Sequence, residues 1–289
     1  MQFVEDGPDI PIEILDAQEK GELVLFTGTG ISKPCGLPDF KELTKKLKDK
    51  LVSNDDIIEN EFKQGNYDRV LNIVEKKLQG RSKLSEQINK ELEIDKTTSE
   101  THESIVKLSK DRNKKLKLIT TNFDLLYDSV NEGFPEYKAP TLPVPKPNKW
   151  NGIVYLHGKL DLNNDPDCEN LVITSGDFGQ AYLHEGWAAR FITELFRHYK
   201  VLFVGYSVND PIIRYLVDAL ASDKKMGLNT ETPYVLGGYD KGDSEEEIIK
   251  KKKEWRNINI EPILFKKDND FSLLHDTLKE WSQRWSGGY

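Results

Sequence analysis

The chain holds only two cysteines, Cys35 and Cys168, far apart and with no Cys-x-x-Cys pair. That excludes a disulfide framework and a four-cysteine zinc site. No apolar run approaches the ~20 residues of a spanning helix. The acidic, proline-bearing start, Met1 to Lys20, lacks the basic and apolar stretches of a signal peptide. The expectation is a cytoplasmic protein without membrane contact. Net positive charge is also lacking: 49 acidic residues outnumber 41 Lys and Arg, for a formal net charge of -8. Direct nucleic-acid binding, which needs clustered Lys and Arg, is disfavoured. The one basic run, Lys250–Lys253, is flanked by Glu245, Glu246, Glu247 and Glu254 and reads as a solvated helix face.

What is present is enough apolar material for a sizeable core, 37% of 289 residues. Short Val/Ile/Leu runs predict buried strands at Leu23–Thr27, Leu116–Thr120, Ile153–Leu156, Val201–Val204, Tyr234–Leu236 and Ile260–Phe265, with a peripheral one at Leu171–Thr174. Continuous apolar runs suit strands covered on both faces. Apolar residues at three- and four-residue spacing predict helices over Asp39–Leu51, Trp187–Tyr199, Pro211–Leu220 (capped by Asp210), Glu245–Trp255 and Phe271–Trp285. The alternation predicts an α/β fold: a Rossmann-like parallel sheet with helices on both faces. Residues 53 to about 114, polar and without a strand signal, read as a helical insertion. Pro135–Pro147, with five prolines, reads as an extended loop. The whole of 1–289 is expected to form a single catalytic domain.

The first strand runs into Gly28-Thr29-Gly30-Ile31-Ser32, a turn whose bare amides suit phosphate. It is neither a P-loop nor a dehydrogenase fingerprint, since Lys33 holds the third glycine's place. Alone it fits a purely structural turn equally well. Gly36-Leu37-Pro38-Asp39-Phe40-Lys41 follows. Thr120-Thr121-Asn122-Phe123-Asp124, His157-Gly158 and Gly205-Tyr206-Ser207 each come after a strand. Ligands of α/β sheets bind at that carboxyl edge. Asn122 and Asp124 could equally cap a helix, and a lone histidine is more often structural.

Together, in this order, the motifs resemble the sirtuin family, with Thr29 for Ala, Lys41 for Arg, Thr121 for Gln and Tyr206 for Thr. Gly205-Tyr206-Ser207-Val208-Asn209-Asp210-Pro211 is similar to the sirtuin-like NAD hydrolases of bacterial antiphage defence. The resemblance implies NAD as substrate and no zinc. It implies Asn122 and His157 as catalytic residues, His157 as a general base titrating near neutrality, with Asp124 orienting one of them. Gly28, Thr29, Gly30, Ser32 and Ser207 would hold the pyrophosphate and adenine-side ribose, and Phe40 would lie near the nicotinamide. Asp39, Thr121, Gly205 and Tyr206 complete the implied cofactor set. Sirtuin deacylases carry a four-cysteine zinc module between the last two motifs; here that interval holds one cysteine, Cys168. Water is then the implied acceptor, giving ADP-ribose and nicotinamide. An NAD-dependent deacylase and a non-catalytic NAD or ADP-ribose sensor are the competing readings. His102, His184, His198 and His275 match no motif, and Cys35 reads as a small buried residue. The family also implies a homo-oligomer switched by a separate sensor, ATPase or Argonaute-type partner. No fused sensor domain is visible before Tyr289, so a separate protein or a longer parent chain is expected to supply it.

Overall fold

The computed structural model describes residues 1–52, 55–93, 99–161, 168–208, 213, 215, 231–268 and 271–285. Its strands are β1 (Leu23–Thr27), β2 (Lys117–Thr120), β3 (Glu136–Lys138), β4 (Gly152–Tyr155), β5 (Lys200–Val204), β6 (Tyr234–Tyr239) and β7 (Glu261–Lys266). They form one sheet in the order β3-β4-β2-β1-β5-β6-β7, and every pairing is parallel.

The apolar runs exist because each strand feeds two cores. Val24, Phe26, Ile119, Val201 and Phe203 enter one layer. Leu23, Leu25, Leu118, Leu202 and Val204 enter the other. Successive side chains point to opposite faces, so a strand buried on both sides is mostly apolar. The first layer is covered by α8 (Trp187–His198) and by Trp255 of α9 (Glu245–Asn257). The second is covered by α1 (Ile12–Lys20), α6 (Glu100–Leu108) and α10 (Ser272–Arg284). The α/β sheet with helices on both faces is thus what the chain builds. No described helix is long and apolar enough to cross a membrane.

A third apolar cluster sits beyond the carboxyl edge. It joins α2 (Phe40–Leu51), α3 (Asp56–Lys63), α4 (Tyr67–Lys77) and α5 (Ser82–Leu92) to Phe123, Leu126, Leu171 and Ile173. Most of the expected insertion is therefore a helical cap over that edge. Its last helix, α6, differs: Ile105, Val106 and Leu108 join the sheet core.

Two expectations change, and a third falls almost wholly outside the described residues. Leu171–Thr174 is not a strand. The amides of Ile173 and Thr174 donate to the Asp177 carboxylate, and Arg81 donates to the carbonyls of Cys168 and Leu171. Side chains satisfy a backbone that would otherwise need a ladder. The proline-rich loop contains the edge strand β3, where a proline costs no internal ladder bond. The expected helix Pro211–Leu220 and its cap Asp210 lie outside the described residues, apart from Ile213 and Tyr215.

His102 of α6 is fully buried, its Nδ1 bonded to Ser99 Oγ at 2.7 Å. Burial, then the nearby His275, lowers its pKa from 6.5 to about 3. The unfolded chain takes up this proton near pH 6.5, and the fold refuses it until far lower. Stability is therefore complete above that pH and lost as pH falls. Below roughly pH 6 the unfolding free energy should drop by up to about 1.4 kcal/mol per pH unit for each such histidine. Urea titrations of His102→Gln across that window should show a slope reduced by that share.

Candidate active site

β1 is the point where the chain's route across the sheet reverses: β2 and β4 lie to one side, β5 to the other. The crevice outside such a switch point is where α/β proteins bind ligands. Register brings the motifs level there. Thr120 pairs with Tyr155 and also with Thr27, which pairs with Val204. Asn122 and His157, each two residues past its strand, therefore sit side by side, with Gly28 and Gly205 beyond them.

Asn122 is held rigidly. Its Nδ2 donates to the Gly28 carbonyl at 3.2 Å and to Ser32 Oγ at 3.0 Å. Ser32 Oγ donates on to Asp124 Oδ2 at 2.9 Å. Burial raises the Asp124 pKa, opposed by the Leu126 amide and Ser32. Asn122 Oδ1 is buried with no partner among the described residues. With Thr29, Phe40 and Asp124, Asn122 lines a cavity of about 20 Å³, enough for about one water.

His157 is fully buried. Its Nε2 is bonded to the Tyr182 hydroxyl at 2.7 Å, and Nδ1 has no partner among the described residues. Burial lowers its pKa from 6.5 to about 3. This corrects the expectation of an imidazole titrating near neutrality: desolvation disfavours the charged ring, so it is neutral at physiological pH. Gly158 follows because φ is +85° and the Asn170 carbonyl leaves no room for a Cβ.

An open cavity of about 380 Å³ lies across the glycine turn, within the roughly 300–1,000 Å³ of small-molecule sites. Thr29, Gly30, Asp39, Phe40, Gly205, Tyr206 and Ser207 line it. Gly28, Ser32, Thr121, Asn122, Asp124 and His157 do not. Thr29 and Phe40 wall both this cavity and the small one beside Asn122, so they form the partition between them.

Several implied ligand contacts are used internally. Tyr206 lies over Gly28, and its hydroxyl donates to the Thr27 carbonyl and meets Thr121 Oγ1 at 2.6 Å. Asp39 caps α2 through the Glu42 amide and pairs with Lys33 at 2.7 Å; such caps contribute about 1 kcal/mol. Cys35 is half-buried against the helical cap. Sequence reasoning missed the far wall, Leu236, Gly238, Phe265, Phe271 and Leu274. The paired glycines at the end of β6 hinted at it, but α10 alone brings Phe271 and Leu274 there. Lys33, paired with Asp39 and Glu42, and Lys41 also line the open cavity. No three His, Cys, Asp or Glu side chains among the described residues are grouped to hold a metal ion.

Comparison with known proteins places the chain. It is 29% identical over 270 residues to an uncharacterized protein, y4cA, of Sinorhizobium fredii, covering 90% of this chain and 22% of that one. It is 26% identical over 215 residues to the NAD(+) hydrolase ThsA of Acinetobacter baumannii, covering 72% of this chain and 41% of that one. The chain thus spans less than half the length of either relative. A solved chain from work on the mechanism and regulation of Sir2 enzymes superposes at TM-score 0.43 and 16% identity, covering 94% of this chain and 95% of its own. The pattern that defines the SIR2-like domain matches residues 116–263, which run from β2 into β7 and include Asn122, His157 and Gly205. That is just over half of the sequence, and the chain belongs to the SIR2-like domain family.

Proposed function

We propose that this chain binds NAD across the carboxyl edge of its sheet and hydrolyses it to nicotinamide and ADP-ribose. One observation carries the reading. Asn122 and His157, level on neighbouring strands, each bury a polar atom that no described residue satisfies. An unpaired buried group costs about 1–3 kcal/mol, and such groups cluster where a ligand or reaction repays them.

The rest of the edge fits the two ends of a dinucleotide. Gly30 and Ser207, with Lys41 close by, offer amides, a hydroxyl and positive charge for a pyrophosphate. Leu236, Phe265 and Phe271 offer an apolar wall for a base. Cleaving the glycosidic bond of NAD leaves neutral nicotinamide, so no residue need protonate the leaving group. Asn122 holds the ribose hydroxyls or the attacking water. Asp124 acts through Ser32 to orient Asn122. His157, neutral, accepts a proton from a ribose hydroxyl or from water, which raises its basicity once polar atoms replace the apolar cover. Water serves as acceptor because the interval that carries the zinc module in deacylases holds a single cysteine.

The name of one relative, NAD(+) hydrolase, supports the same reaction. The resemblance extends the proposal to a cytoplasmic, oligomeric effector that depletes NAD in antiphage defence under a separate sensor, ATPase or Argonaute-type partner. Purified protein, alone and in its assemblies, should release nicotinamide from NAD. His157→Ala should lower that rate at least ~100-fold, within the range of a lost acid–base group, with the fold retained by circular dichroism. Full turnover in the variant would overturn the assignment. Calorimetric ADP-ribose binding without nicotinamide release in any assembly would make the chain a binding module instead.

A further inference from the structure

What covers His157 is local and specific. Directly after α7 (Ser175–Gly179), residues Gln180–His184 make one π-helical turn, a geometry that appears mostly as single-turn bulges, often at functional sites. It turns Tyr182 inward while its neighbour Leu183 is 79% exposed. The Tyr182 hydroxyl meets His157 Nε2 at 2.7 Å. Phe178 stands edge-on to the imidazole at 5.2 Å and stacks on Tyr182 at 6.0 Å. Tyr215 stacks on Phe178 at 4.7 Å and donates its hydroxyl to Asp68 of α4. The open cavity is walled by Phe40 and Tyr206, and neither His157 nor this stack reaches it.

The contact at Nε2 is a hydroxyl on an imidazole, the same contact that a ribose hydroxyl or a water would make. We infer that Tyr182 is a latch: its hydroxyl occupies the position on His157 that the substrate must take, and the site opens only when the π-helical turn withdraws it. This rests on the reading of His157 as the reacting base. The turn suits the task, since rewinding one π-turn to α-helix rotates a side chain by about 100° about the axis. Tyr182 is a positioning residue in the closed form, holding His157 in one orientation and keeping water from it.

The test uses the full chain and the Tyr182→Phe variant, which keeps the ring and removes the latch hydroxyl. Diethylpyrocarbonate modification with peptide mass mapping reads the exposure of His157. Exposed His184 serves as the fast reference, and His102, buried elsewhere, as the protected one. Calorimetry with ADP-ribose reads affinity. In the native chain His157 should react as slowly as His102. In Tyr182→Phe it should react about three- to tenfold faster, and ADP-ribose should bind about three- to tenfold tighter, because one hydrogen bond no longer favours the closed form. Phe178→Leu, which thins the stack and leaves the hydroxyl in place, should shift both readouts the same way. Unchanged protection together with unchanged or weaker ADP-ribose binding in both variants would overturn the latch. Nicotinamide release is measured in parallel. If protection and affinity respond while no form releases nicotinamide, the hydrolase reading fails and the latch stands.

Discussion

Asn122→Ala should abolish nicotinamide release while the protein stays folded. The substitution removes two donated hydrogen bonds, to the Gly28 carbonyl and to Ser32 Oγ, and the Oδ1 that no described residue satisfies. The structural cost is modest, about 1–2 kcal/mol. The Gly28 carbonyl still accepts from the Ile31 amide, and Ser32 still donates to Asp124. The catalytic cost is larger. A polar group positioned at the reacting atoms contributes about 10²–10³ in turnover, so a fall of at least ~100-fold is expected. Steady-state release assays beside urea unfolding separate the two effects. A variant whose rate falls only in proportion to its folded fraction would remove Asn122 from the chemistry. Asn122→Asp keeps the shape but adds a second carboxyl beside Asp124, whose pKa burial already raises. One of the pair should then hold its proton in the fold and lose it on unfolding. Stability of that variant should therefore decrease as pH rises above the ordinary carboxylate range of about 4.

Gly205→Ala should cause a large loss of stability. Gly205 has φ +80°, where an L side chain is strained. An added Cβ would stand 2.9 Å from the Ile31 nitrogen and 3.0 Å from the Gly28 carbonyl oxygen. Both neighbours are backbone and cannot rotate aside. Backbone strain of about 1–3 kcal/mol and overpacking of a similar size give a loss of about 2–5 kcal/mol against a total stability of roughly 5–15. The opposing position behaves alike: a Cβ on Gly30 would lie 2.8 Å from the Gly205 Cα. Because both substitutions open the same gap, Gly30→Ala with Gly205→Ala should cost less than the sum. Urea midpoints measure all three proteins, and a Gly205→Ala change within about 0.5 kcal/mol, the scatter of surface substitutions, would contradict the argument. These glycines serve the meeting of two chain segments first, and both also line the open cavity.

The strands and their shared carboxyl edge were legible in the sequence for a simple reason. A parallel strand with a core on each face favours apolar residues throughout its middle, so LVLFT and VLFV name themselves. Once such strands lie parallel, polar residues just past their ends must gather at one edge, whatever the loops do. Asn122, His157, Gly28 and Gly205 follow from that. Leu171–Thr174 misled because Leu171 and Ile173 serve the cap while only Val172 packs into the sheet core, and Asp177 and Arg81 take backbone groups that a ladder would have used. No local periodicity distinguishes those two uses.

Which atoms of the edge are free was decided only by the tertiary structure. Ser32, Thr121 and Tyr206 read as ligand contacts, yet their hydroxyls meet Asp124, one another and the Thr27 carbonyl across 85 to 179 residues of sequence. His157 read as a near-neutral base, yet Tyr182, 25 residues on, and Phe178 seal it in an apolar cover that lowers its pKa to about 3. Sequence alone determined the kinds of group at the site and the edge that holds them, because strand burial and parallel order depend on local pattern. Their hydrogen-bond partners, their solvation and the latch over the histidine depend on distant segments brought into contact, and packing decided those.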